Sequence, residues 1–248
     1  MPARGSKSPR VPVGDGSDPH SIESHLVEFA EWMGIHGYAP RTISDRIKRV
    51  GLLQVWLAER GVTRTGEVTK PMLDRYQRHL FYYRKPNGQP LTFLTQKGRL
   101  APIRAFFKWA MRTNRILFNP ASELELPRVE QRLPKAVLTA AEVEATLAQC
   151  DLSDPLGLRD RAILEVLYSC GIRRSEVAGL RVFDVDTPRR SVFINQGKGH
   201  KDRIVPIGTR ALGWVDRYLI EVRPHLVSGV DERWLFLGVD GHQLGVGW

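Results

Sequence analysis

Two short motifs carry the side chains with the most chemistry to offer in this chain of 248 residues. The first is Gly171-Ile172-Arg173-Arg174-Ser175-Glu176, and the second is Gly197-Lys198-Gly199-His200-Lys201-Asp202-Arg203. An arginine delivered at a helix junction offers a planar fork to two oxygens of a phosphate. A lysine at the tip of a tight Gly-Lys-Gly turn can protonate the oxygen that leaves a phosphodiester. Glu176, three residues beyond Arg173, shares its helical turn and is placed to orient it. Lys201 is a rival for the lysine role and ranks behind Lys198. Each motif also has a plain reading: Arg173 in a surface ion pair, Lys198 as an exposed hairpin tip. The neighbouring Arg174 makes an anion the more natural partner, and the two motifs together favour the grip on a phosphodiester. Gly197-Lys198-Gly199 is not a Walker loop, since neither a helix nor Lys-Ser/Thr follows.

The elements that hold these motifs can be read from periodicity. Ala162, Ile163, Val166 and Leu167 form the stripe of a helix ending at Cys170, with Gly171 relieving a left-handed cap. Residues 175–180 read as a short helix that Asp184 and Asp186 terminate. Residues 191–195 and 203–207 read as paired strands around the glycine turn, with Pro206 marking an edge. Thr209 caps the next helix, which turns Leu212, Val215 and Leu219 inward, and residues 234–237 read as another strand. Upstream, Thr139 and Glu142 make a capping box for a helix burying Val143 and Leu147.

The first half reads as four helices. Ile22, Leu26, Phe29 and Met33 line the first, which Gly37 ends. Ile43, Ile47, Val50, Leu53 and Trp56 line the second, from Pro40 to Gly61. Thr69 caps the third, with Met72, Tyr76, Leu80 and Tyr83 inward, and the fourth covers 94–114 with Leu100, Ile103, Phe107 and Ala110 inward. Between Asp74 and Glu123 there is no acidic residue, while ten are basic. A solvated helix face normally mixes signs to gain ion pairs, so a single-sign run of this length points to a polyanion. Thr95, Gln96 and Arg99, at the start of the fourth helix, are the candidates for reading base edges. Arg41, Lys97, Arg104, Lys108, Lys201 and Arg203 complete the expected DNA contacts.

The charge is unevenly divided. Residues 1–136 hold 23 Lys+Arg against 12 Asp+Glu, and residues 137–248 hold 14 against 15. One half therefore suits clamping a polyanion, while the other does something more specific. Cys150 and Cys170 belong to no CxxC pair and read as buried thiols in a reducing compartment, as in the cytoplasm. No apolar run is long enough to span a membrane, and nothing in the composition calls for a metal, cofactor or small-molecule substrate. The expected organisation is a basic disordered tail (1–19), a helical DNA-binding domain (20–118), a Pro-rich linker (119–136) and a catalytic domain (137–248).

Arg159-Asp160 opening an apolar helix, Gly171 to Val177, Gly197-Lys198-Gly199, Val205-Pro206-Ile207 and the entry Leu133-Pro134-Lys135…Leu138-Thr139-Ala140-Ala141-Glu142 occur in order. Together they resemble the tyrosine recombinase (phage integrase) family, Xer-type members in particular. The resemblance covers roughly residues 20–248. It implies a mainly α fold with a small antiparallel sheet, in two domains: an all-α, SAM-like core-binding clamp and a partial α+β catalytic domain. It implies site-specific recombination of double-stranded DNA through a 3′-phosphotyrosyl intermediate, by a homo-tetramer on two DNA sites. Carried over by position, Arg173 is the first catalytic arginine and Lys198 the catalytic lysine, with Glu176 in support. The family's later His-x-x-Arg motif and nucleophilic tyrosine find no match. His200-x-x-Arg203 has the letters but lies in the hairpin return, and Tyr218 reads as packing. The expectation for this chain is a recombinase cut off at its C-terminus, without a nucleophile, that binds DNA without cleaving it. The alternative is a non-catalytic protein or remnant that occupies recombination sites.

Overall fold

The computed structural model describes residues 17–130, 137–197 and 201–245. The chain divides into two compact units between Leu133 and Pro134. It is mostly helical, with one small antiparallel sheet.

The first unit is built on four helices: α1 (Ile22–Ile35), α2 (Pro40–Ala58), α3 (Lys70–Tyr82) and α4 (Phe93–Arg112). Their starts are local chemistry. Ser21 Oγ accepts from the backbone N–H of Ser24 at 3.0 Å, and Thr92 Oγ1 from that of Thr95 at 3.2 Å; each satisfies an orphan donor. Pro40 opens α2 where no N–H is needed. The core joins Phe29 and Met33 of α1, Leu53 and Leu57 of α2, and Leu100 and Phe106 of α4, all buried.

Four expectations change here. The inner face of α3 is Leu73, Tyr76 and Leu80. Tyr83 lies past the helix end in extended backbone and is more than a third exposed, and Thr69 occupies the cap position without a side-chain hydrogen bond. Residues expected in the linker are part of this unit, since Ala121 and Leu124 are buried in its core. The basic tail lies outside the described residues except for its last positions, and there Asp18 is anchored: its carboxylate accepts from Arg64 Nε at 2.7 Å and its carbonyl from Ser21 N–H at 3.0 Å.

The second unit starts with α5 (Ala140–Leu147), closed by the Thr139–Glu142 capping box. Leu147 of α5 is buried, whereas Val143 is only half-buried. Next come α6 (Pro155–Cys170) and the five-residue α7 (Arg174–Ala178). A three-stranded antiparallel sheet follows, ordered β1 (Val185–Asp186), β2 (Ser191–Gly197), β3 (Lys201–Pro206). Val192 pairs with Val205 and Ile194 with Arg203. Pro206 sits on the outer strand, where its missing N–H breaks no ladder. The strand β1 gave no sequence signal because it is two residues long. The helices α8 (Thr209–Glu221) and α9 (Arg223–Leu226) follow; the cap of α8 is Gly208, not Thr209, and its buried face is Ala211, Leu212, Val215 and Tyr218.

Residues 234–237 do not form the expected strand. Leu235 N–H donates to Leu180 O at 2.7 Å and Val182 N–H to Arg233 O at 2.9 Å, so the segment pairs with a loop rather than with the sheet. Its apolar side chains still fill the core: Leu235 and Phe236 are buried against Tyr218. A buried carboxylate braces the helices. Glu165 accepts from Arg161 at 2.8 Å and from Arg210 at 2.9 Å, and Arg210 also reaches Glu144 of α5 at 2.6 Å. Cys150 and Cys170 are half-buried rather than buried, and desolvation raises both thiol pKa values.

Two glycines are favoured for different reasons. Gly171 has φ +58°, with open space where a Cβ would stand, whereas a Cβ on Gly157 would meet Asp151 O at 1.9 Å. Gly171→Ala should therefore cost only the left-handed backbone term, about 1 kcal/mol. Gly157→Ala should cost more, about 3 kcal/mol, because backbone must move. Denaturant titration of both variants reads the difference, and equal losses would contradict it.

Candidate functional site

The end of α6 and the start of α7 place Arg173. Gly171 reverses the chain in the left-handed region, and the buried Ile172 anchors the turn. Arg173 then takes the extended N-cap position of α7 at φ −76°, ψ 149°. Glu176, at the third position of that helix, reaches back. Its carboxylate accepts the Arg173 backbone N–H at 2.8 Å and Arg173 Nη1 at 2.9 Å. Arg203, on β3, closes the arrangement: Nη1 and Nη2 donate to the two Glu176 oxygens at 3.0 and 2.7 Å.

Glu176 is thus shared by two guanidinium groups, one from the helix junction and one from the strand. Its side chain is only 6% exposed. The Arg203 hydrogen bonds, then the Arg173 backbone and side-chain donors, hold its pKa down at about 2 against the opposing effect of burial. Arg173 remains 56% exposed, so the donors it does not spend on Glu176 face solvent. Arg174 beside it is exposed as well. Three cations against one carboxylate leave a local positive excess, and the forked donors of Arg173 suit the non-bridging oxygens of a phosphate.

Lys198 lies outside the described residues, as does the Lys201 side chain. Arg203, expected to touch DNA, is instead committed bidentately to Glu176. Of the two tyrosines in this unit, Tyr218 is fully buried and its hydroxyl accepts from Leu237 N–H at 3.2 Å; desolvation raises its pKa. Tyr168 is half-exposed, with the Arg210 guanidinium 5.9 Å from its ring. His225 and His242 are exposed. Among the described residues no group of three or more His, Cys, Asp or Glu could hold a metal ion, and no helix is long and apolar enough to cross a membrane.

In the helical unit the expected DNA contacts separate into two sets. Lys97, Arg104 and Lys108 are exposed along one stripe of α4, and Arg41 is exposed near the start of α2. Arg112, one turn past Lys108, extends the stripe; its i+4 spacing was the signal that could have found it. The base-reading set does not hold together. Gln96 is buried, with Nε2 donating to Leu91 O at 3.0 Å. Thr95 is half-buried and its hydroxyl is paired with Thr92 at 2.9 Å. Arg99 is half-buried, with its guanidinium 5.6 Å from the Tyr83 ring. Of these three, near the start of α4, only Gln96 is buried, so Gln96 is corrected from a DNA contact to a packing residue.

Residues 136–246 match the phage integrase family. The chain is 56% identical over 206 residues to tyrosine recombinase XerC 2 of Ralstonia nicotianae, covering 83% of this chain and 58% of that protein. It is 43% identical over 145 residues to tyrosine recombinase XerD of Pseudomonas aeruginosa, covering 58% of this chain and 48% of that protein. The chain thus spans about half the length of these curated relatives. Among solved structures, a lambda integrase dimer bound to a COC′ core site aligns with a TM-score of 0.62 over 92% of this chain and 60% of that one. At 15% identity that likeness is one of fold.

The depressed Glu176 pKa fixes the sign of a pH effect. Its ion pairs contribute fully above the ordinary carboxylate value of 4.5 and are lost as pH falls towards about 2. Asp231, bound bidentately by Arg223 and likewise held at about 2, acts in the same direction. Stability should therefore fall with acidification below about pH 4.5. Glu176→Gln should lower stability at pH 7 by roughly 1–3 kcal/mol and flatten that acid slope. Denaturant titrations at pH 7 and pH 3 read both, and an unchanged slope in the variant would contradict the assignment.

Proposed function

With residues 136–246 a domain of the phage integrase family, we propose that this chain acts in site-specific DNA recombination, binding duplex DNA and gripping the scissile phosphate with Arg173. The observation that carries this reading is the Glu176 carboxylate, which fixes Arg173 in place while leaving its guanidinium open to an anion. Charge develops on the non-bridging oxygens as a phosphate is attacked, and a donor fixed in advance stabilises it without reorganising. Lys198, between β2 and β3 in the chain, is the general acid that protonates the leaving 5′-oxygen. The reaction is strand cleavage and rejoining through a 3′-phosphotyrosyl intermediate, on an assembly of four copies and two DNA sites.

We assign the nucleophile to none of the six tyrosines in these 248 residues. Tyr218, the last of them, is walled into the core with its hydroxyl engaged. The polypeptide of these residues alone holds DNA without cutting it. In the helical unit, the stripe of Lys97, Arg104, Lys108 and Arg112 lies on the phosphate backbone, and its contribution is to affinity and register rather than to sequence choice.

Two outcomes follow. The 248-residue polypeptide should bind duplex DNA yet form no covalent adduct with a nicked recombination site on a denaturing gel. An adduct would assign the nucleophile to one of the six tyrosines. Replacing Lys97, Arg104 and Lys108 by Gln should weaken binding and reduce the slope of log K against log salt by about 0.9 for each phosphate no longer neutralised. An unchanged slope would move the DNA off this face of α4.

A further inference from the structure

The helical unit contains a groove of about 380 Å³ whose aromatic wall the strand-transfer reading does not use. One wall is a ladder of rings. Phe29 and Trp32 lie nearly parallel, 12° apart with centroids 6.1 Å apart, and His36 follows Trp32 at 4.2 Å. Tyr38 flanks Trp32 at 6.1 Å. His36 is exposed and ends the ladder, its Nδ1 held on Trp32 O at 2.8 Å. The other side is cationic. Arg46 sits 4.8 Å from the Tyr38 ring centroid and donates a long 3.9 Å contact to Met33 Sδ. Lys108 and Arg112 descend from α4, and among the described residues no carboxylate lines the groove.

The combination narrows the occupant. A purely apolar ligand would desolvate the cations without giving them a partner. A bare phosphate would leave the ring wall unused. A flat heteroaromatic ring joined to a phosphate satisfies both sides, and the volume falls in the range of small-ligand clefts. The ring must be free on at least one face, which a base stacked within a duplex is not. Extruding a base costs least where the strand is already unpaired, mismatched or frayed.

We propose that this groove holds one unpaired nucleotide, its base against the Tyr38–His36 wall and its phosphate on Lys108 and Arg112. The proposal deepens the DNA-binding reading of the helical unit and rests on it. Base stacking on aromatic side chains tolerates any sequence, so the groove would sense strand pairing rather than base identity.

Tryptophan fluorescence of the 248-residue protein tests this, because Trp32 and Trp109 both line the groove. The titrants are thymidine monophosphate, inorganic phosphate, a short unpaired oligonucleotide and a blunt duplex. The nucleotide and the oligonucleotide should quench, while phosphate should not. Tyr38→Ala and, at an exposed position, His36→Ala should weaken both by roughly fivefold to a hundredfold, leaving the salt-dependent duplex binding unchanged, and His36→Ala should also leave the thermal melt intact. Much tighter binding of the oligonucleotide would assign the groove to a DNA strand, and equal affinities would assign it to free nucleotide. The proposal is overturned if phosphate displaces thymidine monophosphate as well as thymidine monophosphate itself does, if both variants bind as the parent does, or if nothing quenches. Retained duplex binding would then leave the recombination reading standing, whereas loss of duplex binding in the parent protein would remove that reading as well.

Discussion

One carboxylate holds the second unit's chemistry together. Glu176 is nearly buried, and burial alone would push it towards the neutral form; the guanidinium of Arg203 and the donors of Arg173 overcome that and keep it charged down to about pH 2. The two arginines arrive from different elements, a helix cap and an edge strand. The carboxylate that holds Arg173 is thus also the one on which β3 docks, and the strand that follows Lys198 is joined to α7 through Arg203. A group that must meet a phosphate in one geometry gains from having its orientation settled before the substrate arrives. The ion-pair cluster of Glu165, Arg161, Arg210 and Glu144 acts similarly further from the site, tying α5, α6 and α8 into one frame.

The cations of the helical unit follow a different rule. Lys97, Arg104, Lys108 and Arg112 are exposed, and long side chains with room to move suit a backbone whose phosphates recur along a groove. Their loose placement contrasts with the pinned guanidinium of Arg173. Loose cations supply affinity that salt screens readily, and a pinned cation supplies a defined contact. The groove between the end of α1 and the end of α4 lies between these cases, since Arg46 is laid against Tyr38 while Lys108 and Arg112 extend from α4 as exposed side chains.

What could be read from the sequence was local. Gly171 after an apolar stripe, the Thr139–Glu142 box and the paired strands at 191–195 and 203–207 each depend on residues close in sequence, and the structure reproduces them. What could not be read depended on distant partners. The commitment of Arg203 to Glu176 spans 27 residues, so Arg203 looked like another free cation. Gln96 is the exception, since its partner Leu91 is nearby in sequence: it looked like a reader of bases because its helix is basic, yet it lies on the buried side and donates to the Leu91 carbonyl. Residues 234–237 have the composition of a strand, but they bond to the loop around Leu180. Asp18 looked like part of a loose tail until Arg64 supplied its partner.

Whether Arg173 grips one particular phosphate can be read directly from binding to chemically altered DNA. The 248-residue protein, with Arg173 or with Arg173→Ala, is titrated against a set of site duplexes that each carry a single neutral methylphosphonate. A grip by Arg173 requires one position where the neutral linkage weakens the parent protein but leaves the variant unaffected, with the two proteins responding alike everywhere else. If Arg173→Ala instead responds like the parent at every position, Arg173 holds no phosphate and the grip belongs to another side chain.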